Sequence, residues 1–174
     1  LGALVELPSY LDRCTDDLPN FEIRYPESLG GDLITEAKMF PRDWTTPKEQ
    51  WLEKRVRRDL DAGENVMIFL RHTGDGFLPK RLTRILGRDT TKIAWLDAKK
   101  VATDKREAWI DKHVIQAGVR VLLVNPSAVR TGLNNLIRFS TAIWYELDAS
   151  ATTYRQANGR LHRIGHTKPV TIWT

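Results

Sequence analysis

Apolar positions recur at helical spacing near the end of this chain: Tyr154, Ala157, Leu161 and Ile164 predict a helix with one buried stripe. Gln156, Arg160 and Arg163, at i, i+4 and i+7, are then expected together on another face of the same helix. A second helix is predicted from Thr46-Pro47, a cap residue followed by proline, through Trp51, Leu52, Val56 and Leu60 to Gly63. Its other faces carry Lys48, Lys54, Arg55, Arg57 and Arg58, which read first as a solvated surface beside Glu49, Glu53 and Asp59 and second as a nucleic-acid groove. Val119 to Val124, apolar but for Arg120, has the pattern of a parallel strand buried on both faces. Alternation of strands and helices after residue 63 predicts an α/β fold, an open and mostly parallel sheet with helices on both sides. Ligands on such sheets sit at the carboxyl ends of strands, which puts the loops 71–76 and 125–136 on one edge. Before this region Pro8, Pro19, Pro26, Pro41 and Gly30-Gly31 interrupt regular structure, so residues 1–46 read as a linker or insert. Within it Phe21 to Tyr25 alternates as a strand, for the sheet edge or a small hairpin.

Two arginines on a rigid helix present planar, permanently charged forks suited to phosphate oxygens and to charge developing on a transferring phosphoryl group. By itself such a pair reads first as a solvated basic face. The longer string Gln156-Ala157-Asn158-Gly159-Arg160-Leu161-His162-Arg163-Ile164-Gly165-His166, followed by Lys168-Pro169-Val170, resembles the last helicase motif of the Swi/Snf-type ATPases of helicase superfamily two. Asn125 to Leu136, with Thr131-Gly132-Leu133-Asn134, is similar to that family's strand-to-loop motif. Val66 to Leu70 resembles the strand opening the family's second lobe, with Arg71-His72-Thr73 at its end. Ile93 to Asp97, Ala142 to Leu147 and Val170 to Trp173 then read as further strands, and Lys105-Arg106 starts a helix with Ile110, Val114 and Ala117 on one side.

The resemblance implies a RecA-like three-layer α/β/α fold over residues 47–174, the helicase C-terminal lobe of the P-loop NTPase type, with residues 1–46 as inter-lobe connector. It implies that Arg160 and Arg163 reach as catalytic fingers to ATP held mainly by a first lobe, with Gln156, Gly159, Gly132 and Asn134 at the nucleotide. Thr131, Arg130 and His72 are the implied nucleic-acid contacts, made to the backbone of double-stranded DNA without sequence preference. The family partner is the N-terminal RecA-like lobe of the same polypeptide. Magnesium is expected on that lobe, with no metal held by these residues. The chain departs from the pattern at three places: Arg130 replaces a small residue, Ala149-Ser150-Ala151 replaces W-N-P, and His166 replaces a frequent Gln.

Composition adds less. A chain of 174 residues, 41% hydrophobic and 28% charged, can bury one good core. Its net charge of +5 is a modest argument for a polyanionic partner. The single cysteine, Cys14, forbids an internal disulfide and fits a reducing compartment. An intracellular protein, cytoplasmic or nucleoid-associated in a prokaryote or phage-infected cell, is expected. No apolar stretch approaches the length of a membrane span, so no membrane partner is expected. His162 and His166 lie four apart but lack a third ligand in register for zinc. Trp95, Trp144 and Trp173 lie in apparent strands and read as core rather than base-stacking groups.

There is no glycine-rich phosphate loop ending in Gly-Lys-Ser/Thr, and no acidic pair after a strand to hold magnesium and a water. Hydrolysis therefore needs a second body, and the fragment alone is expected to be a poor ATPase. A start at Leu1 and a stop at Thr174 read as an excised fragment. Two other readings stay open: a nucleic-acid-binding or partner-docking module that lost its catalytic half, and an unrelated doubly wound enzyme holding a phosphorylated small substrate.

Overall fold

The computed structural model describes residues 22–26, 30–36, 44–73, 76–88, 91–129, 133–148, 150–163, 165 and 167–174. They fall in two compact units, Leu1–Pro47 and Lys48–Thr174. In the first, strand β1 (Glu22–Tyr25) pairs antiparallel with β2 (Asp32–Glu36). Gly31 N–H donates to the Pro26 carbonyl at 3.2 Å, and a Cβ on Gly31 would overlap the Tyr25 carbonyl oxygen at 2.3 Å.

The second unit is built on a five-stranded sheet of β3 (Val66–Phe69), β4 (Ile93–Leu96), β5 (Val121–Val124), β6 (Thr141–Trp144) and β7 (Thr171–Trp173). Its order is β4-β5-β3-β6-β7, and every pairing is parallel. Side chains alternate across the pleat. Met67 and Phe69 enter one core with Leu122, Val124, Ala142 and Trp144, while Val66, Ile68 and Leu70 enter another with Val121, Leu123 and Ile143. The helices divide the same way. Helices α1 (Pro47–Asp61) and α2 (Phe77–Leu86) supply Leu52, Val56, Leu78 and Leu82 to the second core. Helix α3 (Arg106–Ile110), the short α4 (Pro126–Val129) and α5 (Ala151–Asn158) supply Ile110, Ala128 and Ala157 to the first. The result is the expected α/β/α arrangement, with both faces of the sheet covered.

Several local expectations change. Trp51 is exposed, because the inward stripe of α1 is Glu49, Leu52, Val56 and Asp59. Helix α3 continues into a π turn, Asp111–Ile115, whose extra residue rotates the following chain. Ile110 and Val114 are fully buried, but Ala117 faces solvent. Three of the basic side chains of α1 are engaged locally: Arg55 binds Asp59, Arg57 donates to Glu53 at 3.0 Å, and the Lys48 ammonium sits 3.9 Å from the Tyr145 ring centroid. The Asp59 hydrogen bond, together with its charge, pushes the Arg55 guanidinium above its ordinary pKa, against a smaller opposing effect of burial.

Gly76 caps the start of α2 with φ at 72°, in the left-handed region, and a Cβ there would stand 2.9 Å from the edge of the Trp95 ring. Gly76→Ala is expected to cost about 1–2 kcal/mol for the backbone alone, more if the indole cannot yield. Urea unfolding measures it: the midpoint falls with an unchanged slope, and a midpoint equal to wild type would show that this turn relaxes freely.

Candidate nucleotide and nucleic-acid edge

Parallel pairing sets the register: Phe69 lies level with Val124 and Trp144, so the chain leaves β3, β5 and β6 at one edge. From β3 the chain runs out to β4, and from β6 to β7 on the other side. The two connections diverge, so the exits of β3 and β6 flank a crevice of the kind where open α/β sheets bind ligands. His72 and Glu146 stand there. Glu146 is 5% exposed, and its carboxylate accepts from the His72 backbone N–H at 2.8 Å while its other oxygen lies 3.0 Å from the ring Nδ1. The buried acid thus holds the imidazole by one nitrogen. Asn125 joins the neighbouring loops: its Nδ2 donates to the Arg71 carbonyl at 2.8 Å and its Oδ1 accepts from the Ser127 N–H at 2.9 Å, opening α4.

Arg130, Thr131 and Gly132, the expected phosphate contacts of the following loop, lie outside the described residues, as do Ile164 and His166. The loop resumes at Leu133, which is buried, and at Asn134. Helix α3 holds it from beneath. Asn134 N–H donates to Glu107 Oε1 at 3.2 Å, Asn135 Nδ2 donates to the Glu107 carbonyl and Asp111 Oδ1, and Arg106 reaches the Ala128 carbonyl at 3.1 Å.

The arginine segment departs from its expected form. Helix α5 ends at Asn158 rather than running to Ile164, so no helical register carries Gln156 on to Arg160 and Arg163. The last α-type bond runs from Gly159 N–H to the Arg155 carbonyl; Arg160 and Leu161 then form tighter bonds to Ala157 and Asn158. Glycine is a poor helix residue, and the Asn158 side chain is drawn inward, its Oδ1 accepting from the Trp144 indole N–H at 2.9 Å. The Trp144 ring in turn stacks between Phe69 and Tyr154, at 4.4 and 4.9 Å between centroids. Gly159 has φ of −63°, which any residue adopts, so its backbone conformation does not require glycine.

The turn brings two of the expected groups together. Arg163 donates to the Asn134 side-chain oxygen, tying the arginine segment to the loop after β5. Leu161 is fully buried between the two arginines, and Arg160 and Arg163 are both partly exposed. Gln156 lies on the exposed side of α5. One departure from the family pattern has a structural use: Ser150, in the Ala149-Ser150-Ala151 stretch, caps α5 by accepting from Thr153 N–H at 3.2 Å. The periodicity singled out neither Glu146 nor Asn158. Their signal was a polar residue directly after an apolar run or before a glycine.

The helicase conserved C-terminal domain model matches residues 47–165. Among solved structures, the crystal structure of the C-terminal part of the Fun30 ATPase domain superposes with a TM-score of 0.65 at 27% identity, covering 75% of this chain and 41% of that one. The crystal structure of T4 UvsW is similar in fold, with a TM-score of 0.53 at 15% identity over 72% of this chain and 24% of that one. The chain therefore spans less than half the length of either structure. No curated protein matches its sequence. The family model covers both the loop after β5 and the arginine segment, and the chain belongs to the helicase conserved C-terminal domain family, with the RecA-like fold of a superfamily-two helicase C-terminal lobe.

Proposed function

We propose that this chain is the second lobe of an ATP-dependent translocase on double-stranded DNA, completing with Arg160 and Arg163 an ATP site held mainly by an N-terminal RecA-like lobe of the same polypeptide. The observation that carries the reading is the Arg163 to Asn134 bond, which couples the arginine segment to the strand-to-loop motif. The residues present fit ATP as far as their chemistry goes. Two guanidiniums at the end of a helix, partly exposed, offer permanently charged forks for phosphate oxygens, and Gln156 adds an amide nearby in sequence. Magnesium, when bound, would neutralise charge on the phosphates, and its ligands are expected on the first lobe.

In this reading Arg163 has two partners. With the lobes apart its guanidinium rests on Asn134; as they close it turns toward the γ-phosphate, and Asn134 is released. DNA held by Thr131, Arg130 and His72 would bias the same loop, so occupation of either site alters the other. The DNA contacts go to phosphates and carry little sequence preference. The test is ATP hydrolysis by the full-length protein with and without duplex DNA. Stimulation by duplex of unrelated sequences, weakening steeply with salt, is expected. Absence of any hydrolysis would leave a nucleic-acid-binding or partner-docking module instead.

A further inference from the structure

Lys168, part of the string that resembles the family motif, takes no part in the chemistry above. Its side chain works at the opposite, amino edge of the sheet. Lys168 Nζ donates to Glu64 Oε1 at 2.9 Å, and the Ser140 hydroxyl donates to the other Glu64 oxygen. Ser140 is buried, and its carbonyl accepts from Thr171 N–H at 2.8 Å, the bond that seats β7 against β6. Glu64 lies two residues before β3 and Ser140 one residue before β6, so one carboxylate gathers the entries of three neighbouring strands. The Ser140 hydrogen bond, then that of Lys168, holds the Glu64 carboxyl below its ordinary range. A cavity of about 200 Å³ opens beside this clasp, lined by Arg138, Gly165 and Thr167 as well as Glu64, Ser140 and Lys168.

The clasp lies at one end of the segment that carries the arginines. Between the end of α5 at Asn158 and the start of β7 at Thr171, the described residues contain no helix or strand. Backbone hydrogen bonds hold its start, from Gly159, Arg160 and Leu161 to Arg155, Ala157 and Asn158, and its end, from Thr171 to Ser140. Near its start it is fixed by the Asn158 to Trp144 bond and by Leu161 in the core, and midway by Arg163 on Asn134. Beyond Arg163 the chain bends at Gly165, whose φ of 98° is left-handed, and reaches Lys168 three residues later. Lys168, tied to Glu64, thus stands on the return leg between Arg163 and β7.

We infer that Glu64 and Lys168 are positioning residues: their clasp around Ser140 holds the return leg of the arginine segment and so keeps the Arg163 guanidinium at Asn134. The inference rests on the reading of Arg163 as a finger, but its structural half can be tested separately. Lys168 is half exposed, and exposed ion pairs contribute little to global stability. The effect is therefore expected in local order and turnover, not in melting.

The experiment uses the full-length protein as wild type, Lys168→Glu, Glu64→Lys and the double reversal, with Arg163→Ala as a control and Glu64→Gln as a variant that keeps shape and removes charge. Hydrogen exchange of peptides covering 159–168 is read beside DNA-stimulated hydrolysis. Each single reversal is expected to speed exchange there by about tenfold and to lower kcat about fivefold with the KM for ATP unchanged, while the melting midpoint stays put. The double reversal should restore both within about twofold, and Glu64→Gln should fall between. Single variants that exchange like wild type, or a double no better than its parents, would overturn the inference. If Arg163→Ala leaves kcat untouched the finger reading fails by itself, and the exchange data still decide whether the clasp orders the segment.

Discussion

Arg163→Ala in the full-length protein will lower DNA-stimulated ATP hydrolysis by about a hundredfold or more while leaving the lobe folded. A guanidinium that meets developing charge on the transferring phosphoryl group can be worth about a thousandfold or more in rate, and alanine removes both charge and fork. The folded state should hardly notice. Arg163 is partly exposed, and its bond to Asn134 is a surface one, so truncation removes a contact of small energetic value. Arg160→Ala is expected to behave alike, since that residue lies in the same turn and flanks the same buried Leu161. Lysine at 163 separates the two contributions: it keeps the charge but loses planar, two-point contact, so a rate between wild type and alanine is expected. Steady-state hydrolysis beside circular dichroism makes the measurement. Folded alanine variants that hydrolyse at the wild-type rate would make the arginine segment structural.

What the sequence made legible follows from burial. Strands β3, β5 and β6 lie in the middle of the sheet, every residue in them is buried, and apart from Thr141 they are continuous apolar runs, the pattern such a position favours. Helix α1 was legible through Pro47 and the Leu52 and Val56 stripe, yet the same stripe misled at Trp51, which lies just off the inward face. Helix α2 carries Pro79 and starts at a left-handed glycine, so nothing in its composition announced it. The arginine segment was legible in its residue types and not in its geometry. Its apolar spacing fits a helix, but Gly159 and the inward pull on Asn158 end the helix before the arginines arrive. Pattern alone cannot weigh a side-chain bond to Trp144, fourteen residues upstream, against one more helical turn. Nor could it foresee Glu146 or Glu64, because each gains its meaning from a partner 74 or 76 residues away, His72 and Ser140.

The same limit hid a buried ion pair on which a large stability effect is expected. Glu49 stands in the first turn of α1, where an acid ordinarily faces water and favours the helix dipole. Here it is fully buried, and Arg81 of α2, 3% exposed, forks onto it with Nε 2.5 Å from Oε1 and a terminal nitrogen 2.9 Å from Oε2. The pair joins the two helices that cover one face of the sheet. Glu49→Ala or Arg81→Ala alone is expected to cost about 3–5 kcal/mol, because the remaining charge stays buried without its counter-ion. Against a net stability of about 5–15 kcal/mol for a domain, that is enough to shift the unfolding midpoint far down or to unfold the lobe. Replacing both at once reverses the expectation. Glu49→Leu with Arg81→Met removes two desolvation penalties and leaves apolar groups of similar volume, so the double variant should unfold in urea within about 1 kcal/mol of wild type or beyond it. A double variant as unstable as the singles would show instead that the pair sets the angle between α1 and α2, a role no apolar filling can replace.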